Sequence, residues 1–161
     1  MPKRSKIEPD SNFHFVTFAV FKHIPVFRSP LFAEEFIKNL QFYSDRGDFK
    51  LHAFVIMPDH VHLLLEMSQN KNLSDLIRDI KKYFSFHAKN SLLHKSQFDV
   101  ESFTRDGAFQ FWERGFDEVT IISEKVFFVK TNYIHNNPVK AGLVAEATGY
   151  KYSSAKQYLT D

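Results

Sequence analysis

Residues 48–67, DFKLHAFVIMPDHVHLLLEM, constrain this chain more than any other stretch. Two runs rich in apolar and β-forming residues, 48–57 and 60–67, are separated only by Pro58 and Asp59. Proline presets φ and aspartate bonds its own backbone, so the pair makes a tight break. The runs then read as the two strands of a hairpin.

The flanks supply what surrounds that hairpin. NFHFVTFAVF (12–21) alternates in part and reads as a strand. SPLFAEEFIKNLQFYSDRG (29–47) starts on Ser-Pro, repeats apolar residues at helical spacing and stops at glycine. Residues 72–93 place Leu73, Leu76, Ile77, Ile80 and Phe84 on one helical stripe, with Asn72 or Ser74 as N-cap. Segment 94–108 is polar and reads as a loop. FQFWERGFDEVTII (109–122) reads as a last strand or strand pair. Residues 123–137 read as a helix capped by Ser123 and stopped by Pro138. YKYSSAKQYL adds a short helix. The order β-α-β-β-α-β-α begins with the six elements of the split βαβ, ferredoxin-like arrangement: an α+β fold with an antiparallel sheet and helices packed on one face.

Length supports one domain, 1–161, with loose ends: a flexible basic arm at about 1–10 and a tail at about 145–161. Nineteen phenylalanines imply an aromatic core, and the absence of cysteine excludes disulfides and thiolate metal sites. No apolar run follows the basic N-terminus, and none is long enough to span a membrane, so a soluble intracellular protein is expected. A net charge of +2 is only mildly basic. The local clusters, PKRSK (2–6) and Arg78, Lys81, Lys82 and Lys89, are either solvated faces or phosphate-binding ones. Phe109, Phe111 and Trp112 either pack or stack bases.

Side chains alternate along a strand, so His60 and His62 share one face while Val61, Leu63 and Leu65 take the other, toward the core. Two imidazoles so placed either share a metal ion or form a structural, hydrogen-bonded pair. Asp59 reads as a turn residue. Tyr133 and Asn137, four apart on a helix, share its face. The phenol is a possible nucleophile and the amide a hard oxygen ligand; the alternative is a packed tyrosine and an ordinary helix end. Two histidines and one amide oxygen leave open positions on an octahedral ion, so Mg²⁺ or Mn²⁺ could hold phosphate oxygens there. His135 points away from Asn137, and Tyr83 reads as core.

MPDHVHLLLE (57–66), followed by YIHNNPVKAGLV (133–144) and YKYSS (150–154), resembles the single-tyrosine HUH transposases, in particular the REP-associated tyrosine transposase branch. The sequence differs from relatives at three places: Asn137 stands where smaller insertion-sequence relatives have glutamine, Tyr152 where a tryptophan is common, and Glu118 where the branch often has histidine. The resemblance implies a bacterial, cytoplasmic, nucleoid-associated enzyme that cuts and rejoins single-stranded or hairpin DNA through a 5′-phosphotyrosine. His60, His62 and Asn137 would hold a divalent metal, Mg²⁺ or Mn²⁺, and Tyr133 would attack phosphorus. DNA would be gripped by Lys3, Arg4 and Lys6 of the arm, by Arg78, Lys81, Lys82 and Lys89, and by Trp112. Monomer and homodimer are both open. Two competitors are a non-catalytic hairpin DNA- or RNA-binding module and a zinc hydrolase built on the histidine pair.

Overall fold

A computed structural model describes residue 7 and residues 12–94 and 97–159. Its main elements are β1 (Phe13–Ala19), α1 (Pro30–Asp45), β2 (Phe49–Ile56), β3 (His60–Met67), α2 (Leu73–His94), the short strands β4 (Thr104–Arg105) and β5 (Ala108–Phe109), β6 (Asp117–Thr120), α3 (Glu124–Lys140) and α4 (Ala155–Leu159). The central sheet has the order β2-β3-β1-β6, and every neighbouring pair is antiparallel. This is the split βαβ order expected. The Pro58-Asp59 turn joins β2 to β3, closed by the Met57 N–H donating to the His60 carbonyl at 2.8 Å.

Strand alternation divides the sheet into two unlike faces. Val16, Phe18, Val61, Leu63 and Leu65 point toward α1 and α2 and join Phe27, Phe36, Phe84, Phe111 and Trp112 in the larger core. Its rings meet edge-on or tilted, as between Phe36 and Phe84 (5.1 Å, 88°) and between Phe18 and Trp112 (5.0 Å, 72°). That is the geometry the ring quadrupole favours. Phe13, Phe15, Ala53, Val55 and Leu64 point the other way and meet Phe127 and Ile134 of α3. So α1 and α2 cover one face as the six-element motif requires, and α3, the added element, covers the opposite one. A bulge between Leu51 and Ala53 inserts His52, whose ring stacks on Phe13 at 5.2 Å.

Three stretches differ from the sequence reading. Residues 94–108 are not simply loop: they carry a 3-10 turn at Val100–Phe103 and the β4–β5 hairpin. Residues 109–122 are not one long strand: Phe109 pairs in the β4–β5 hairpin, Trp112 makes an isolated bridge to Val20, and Asp117–Thr120 forms the strand β6 of the central sheet. Before that, Phe111 and Trp112 dive under α2, because large rings gain more from burial than from an exposed edge strand. The third helix runs through Pro138 to Lys140. Proline removes one donor, but the helix ends properly three residues later. The Leu143 N–H bonds the Pro138 carbonyl (2.9 Å) and the Gly142 N–H bonds the Val139 carbonyl (3.0 Å), with Gly142 at φ +75°. That is a Schellman motif, and its left-handed position favours glycine.

The C-terminal tail is not loose up to residue 159. The Ile56 N–H donates to the Tyr152 carbonyl (2.8 Å) and the Ser154 N–H to the Phe54 carbonyl (3.0 Å), so the tail lies along the outer edge of β2. The Tyr150 hydroxyl donates to the Ile56 carbonyl at 2.6 Å, and the Tyr158 hydroxyl to the His52 carbonyl. Burial pushes the Tyr150 phenol up to about 12, marking it as a packing group. Tyr83 is not core: it is half-exposed and stacks on Phe42.

Candidate active site

The two histidines lie on the α3 face of β3, one strand from β1. Thr17 sits directly opposite His62 and Ala19 opposite His60. The Thr17 hydroxyl is hydrogen-bonded to His62 Nδ1 at 2.7 Å. His60 Nδ1 donates to the Asp59 carboxylate at 2.7 Å. Asp59 is therefore more than a turn residue: its second oxygen lies 3.2 Å from His23 Nδ1. Burial alone would raise the Asp59 pKa, but hydrogen bonds and charge from His60 and His23 outweigh it and hold the carboxyl below its usual range.

Both imidazoles are thus anchored through Nδ1. An ionised carboxylate only accepts, so His60 donates from Nδ1 and its Nε2 takes no part in that bond. His62 is 5% exposed, and its Nε2 has no hydrogen-bond partner among the described residues. Burial, reinforced by the charges of His60 and Lys130, pushes the His62 pKa down to about 3, so the ring is neutral at pH 7. A neutral imidazole with Nδ1 held and Nε2 bare is the form that binds a metal ion. The ring centroids stand 4.8 Å apart. An orphaned buried nitrogen costs free energy; in the tautomer that donates from Nδ1 to Thr17, the His62 Nε2 lone pair fits a divalent ion.

Tyr133 reaches this pair from α3. Its ring lies 5.4 Å from His62 and 5.8 Å from Phe15, edge-on to both, and it is 44% exposed. Tyr133, His60, His62, Thr17 and His23 line one cleft of about 570 Å³, rimmed by Glu113, Arg114 and Asp117. Asn137 is half-buried one helical turn beyond Tyr133. Among the described residues no group of three or more His, Cys, Asp or Glu could hold a metal ion. That leaves the zinc hydrolase without a third ligand of the usual kind. His135 faces the tail, its Nε2 2.8 Å from Ser154 Oγ, and burial pushes its pKa down to about 4.

Among the described residues, the basic side chains of α2 do not line this cleft. Lys3, Arg4 and Lys6 lie outside the described residues. Arg78, Lys82 and Lys89 are on α2, which packs on the opposite face of the sheet. Arg78 is engaged by Asp75 and Asp79, and the Lys89 ammonium lies over the Phe109 ring. Lys81 is not on the outer side. Its ammonium donates to the Glu113 (2.9 Å) and Gly115 (2.7 Å) carbonyls, and burial lowers its pKa. Trp112 is 5% exposed and donates its indole N–H to the Lys81 carbonyl, so no ring face is left for a base.

Sequence reasoning missed Thr17, His23 and Lys130. Thr17 and His23 become site residues only through cross-strand and loop contacts. Lys130 carried a readable signal, since it stands three residues before Tyr133 on the same helix.

An antiparallel sheet thus presents a His-x-His pair to a tyrosine from α3 in one cleft. The family model described as "Transposase IS200 like" matches residues 9–137, and the chain belongs to that family. It is 27% identical over 107 residues to the REP-associated tyrosine transposase of Escherichia coli, covering 66% of this chain and 54% of that one. A Haemophilus influenzae protein named for the same group is 30% identical over 107 residues, covering 66% and 58%. The match thus spans little more than half the length of these relatives. The fold is similar to that of a REP-associated tyrosine transposase solved bound to a REP hairpin, with a TM-score of 0.71 at 20% identity over 99% of this chain and 85% of that one. No helix among the described residues is long and apolar enough to cross a membrane.

Proposed function

We propose that this transposase-family chain is a metal-dependent endonuclease and strand transferase acting on single-stranded DNA beside a hairpin. The observation that carries the reading is one cleft holding two Nδ1-anchored imidazoles, with the His62 Nε2 unpartnered among the described residues, against a half-exposed phenol. His60 and His62, with Asn137, would hold Mg²⁺ or Mn²⁺, and that ion would polarise the scissile phosphate. The protein supplies the rest. Thr17 and Asp59 fix the imidazoles, and α3 delivers the Tyr133 hydroxyl.

In the proposed reaction Tyr133 Oη forms a bond to phosphorus and the bond from phosphorus to the 3′ oxygen breaks. The phenol gives up one proton and the departing 3′ oxygen gains one. The phosphate stays on the 5′ oxygen of the downstream nucleotide, giving a 5′-phosphotyrosine and a free 3′-hydroxyl. The new ester retains the energy of the old one, so a second 3′-hydroxyl can reverse the step without ATP. Hairpin DNA as the partner is supported by the solved relative's bound REP hairpin.

The test is a denaturing gel of purified protein with labelled hairpin DNA, Mn²⁺ and a chelator control. The expected result is a covalent band that needs Mn²⁺ and disappears in Tyr133→Phe while DNA binding remains. Binding without any band would instead identify a non-catalytic DNA-binding module.

A further inference from the structure

We propose that Lys130 binds the phosphodiester that Tyr133 attacks, which makes Lys130, Tyr133 and Asn137 one functional stripe of α3. This rests on the strand-transfer reading above. Lys130 stands three residues before Tyr133 and seven before Asn137, spacings that bring all three to one side of a helix. Its ammonium lies 4.8 Å from the centroid of the Phe15 ring and 5.9 Å from that of Tyr133. It is half-buried, and no carboxylate pairs with it among the described residues.

Another partly buried lysine near this part of the fold is engaged: Lys81 is held by two carbonyls. Lys130 has only aromatic rings, and phenylalanine is not the strongest ring for holding a cation. A half-desolvated ammonium without a counter-charge is costly, and an anion entering the cleft would relieve it. The anion that the proposed chemistry brings beside the Tyr133 hydroxyl is a phosphate. A lysine serves there as a point charge on non-bridging oxygens, where negative charge concentrates as phosphorus becomes five-coordinate.

The experiment compares wild type, Lys130→Gln and Lys130→Arg on one single-stranded DNA hairpin. It reads the single-turnover rate of adduct formation and the slope of log Kd against log salt. For Lys130→Gln the expected loss of rate is about 10²-fold, and the salt slope should shrink by roughly 0.7, the value for one single-strand phosphate. Lys130→Arg should keep most of both. A rate within twofold of wild type for Lys130→Gln would overturn the assignment to the attacked phosphate. An unchanged slope would overturn phosphate binding altogether. If wild type forms no adduct, the strand-transfer reading fails and the slope alone decides Lys130: a smaller slope upholds its phosphate contact, an equal one removes it.

Discussion

The sheet face under α1 and α2 buries Val16, Phe18, Val61, Leu63 and Leu65, all apolar, whereas the face under α3 seats Thr17, His60 and His62 beside Phe15 and Leu64. The strands are the same, and only the alternation separates the two surfaces. The first face is filled with interlocking rings and contributes stability. The second gives up apolar area to hold polar groups, each kept in place by one hydrogen bond from a neighbouring strand or turn. On the proposed reading, the chemistry lies on the opposite side of β1 and β3 from the larger core, so a substitution at the site should disturb that core little.

The largest expected effect lies on the apolar face. Phe36→Ala should cost about 3–5 kcal/mol, since it leaves a cavity among Phe18, Phe27, Phe84 and Trp112. Urea unfolding measures it. His62→Ala should cost much less stability yet abolish the metal-dependent adduct. If it destabilises as much as Phe36→Ala, the division between the faces fails.

A smaller effect sharpens the chemical side. Asp59→Asn removes the carboxylate that fixes His60, and should weaken Mn²⁺ binding about 10–100-fold, the usual cost of losing such a support. Isothermal titration calorimetry with Mn²⁺ reads it directly. Unchanged affinity would mean that the turn alone orients His60.

Acid should act through the α3 face. His62 and His135 are buried neutral, with pKa values pushed down to about 3 and about 4 from the usual 6.5. Between those values and 6.5 the unfolded chain binds more protons than the folded one. Stability without metal therefore falls as pH drops through that window. Replacing His135 with Gln should flatten the fall; an equally steep profile in that variant would remove His135 from the account. The smallest effect is Gly142→Ala at the end of α3, about 1 kcal/mol for placing a Cβ at φ +75°. Thermal unfolding measures it.

The central hairpin, α1 and α2 were legible because their apolar residues repeat at the period of the element they form. Ser123 was legible as a cap, and of the two candidates at the start of α2, Asn72 and Ser74, it is Asn72 whose side chain accepts a backbone N–H, as Ser123 does. Residues 109–122 were not, because their shape follows from packing Phe111 and Trp112 under a helix distant in sequence. The four residues of β6 are all exposed, so they show no alternation to read. In the cleft, the His-x-His pair and the tyrosine were legible as residue types at suggestive spacings. Thr17 was not, because its link to His62 spans 45 positions and exists only in the β1–β3 register. Lys81 and Trp112 were misread for a related reason. Charge and aromaticity say what a side chain can do, and burial decides whether it is available.

The tail strapped along Phe54–Ile56 has a consequence for encounters between molecules. An uncovered strand margin offers its backbone to any passing chain, and here the tail already occupies that stretch of β2. The opposite margin, β6, is only four residues long and begins with the adjacent carboxylates of Asp117 and Glu118. A sheet closed at one end and short and acidic at the other gives a crowding neighbour little purchase for extending it, which favours colloidal solubility.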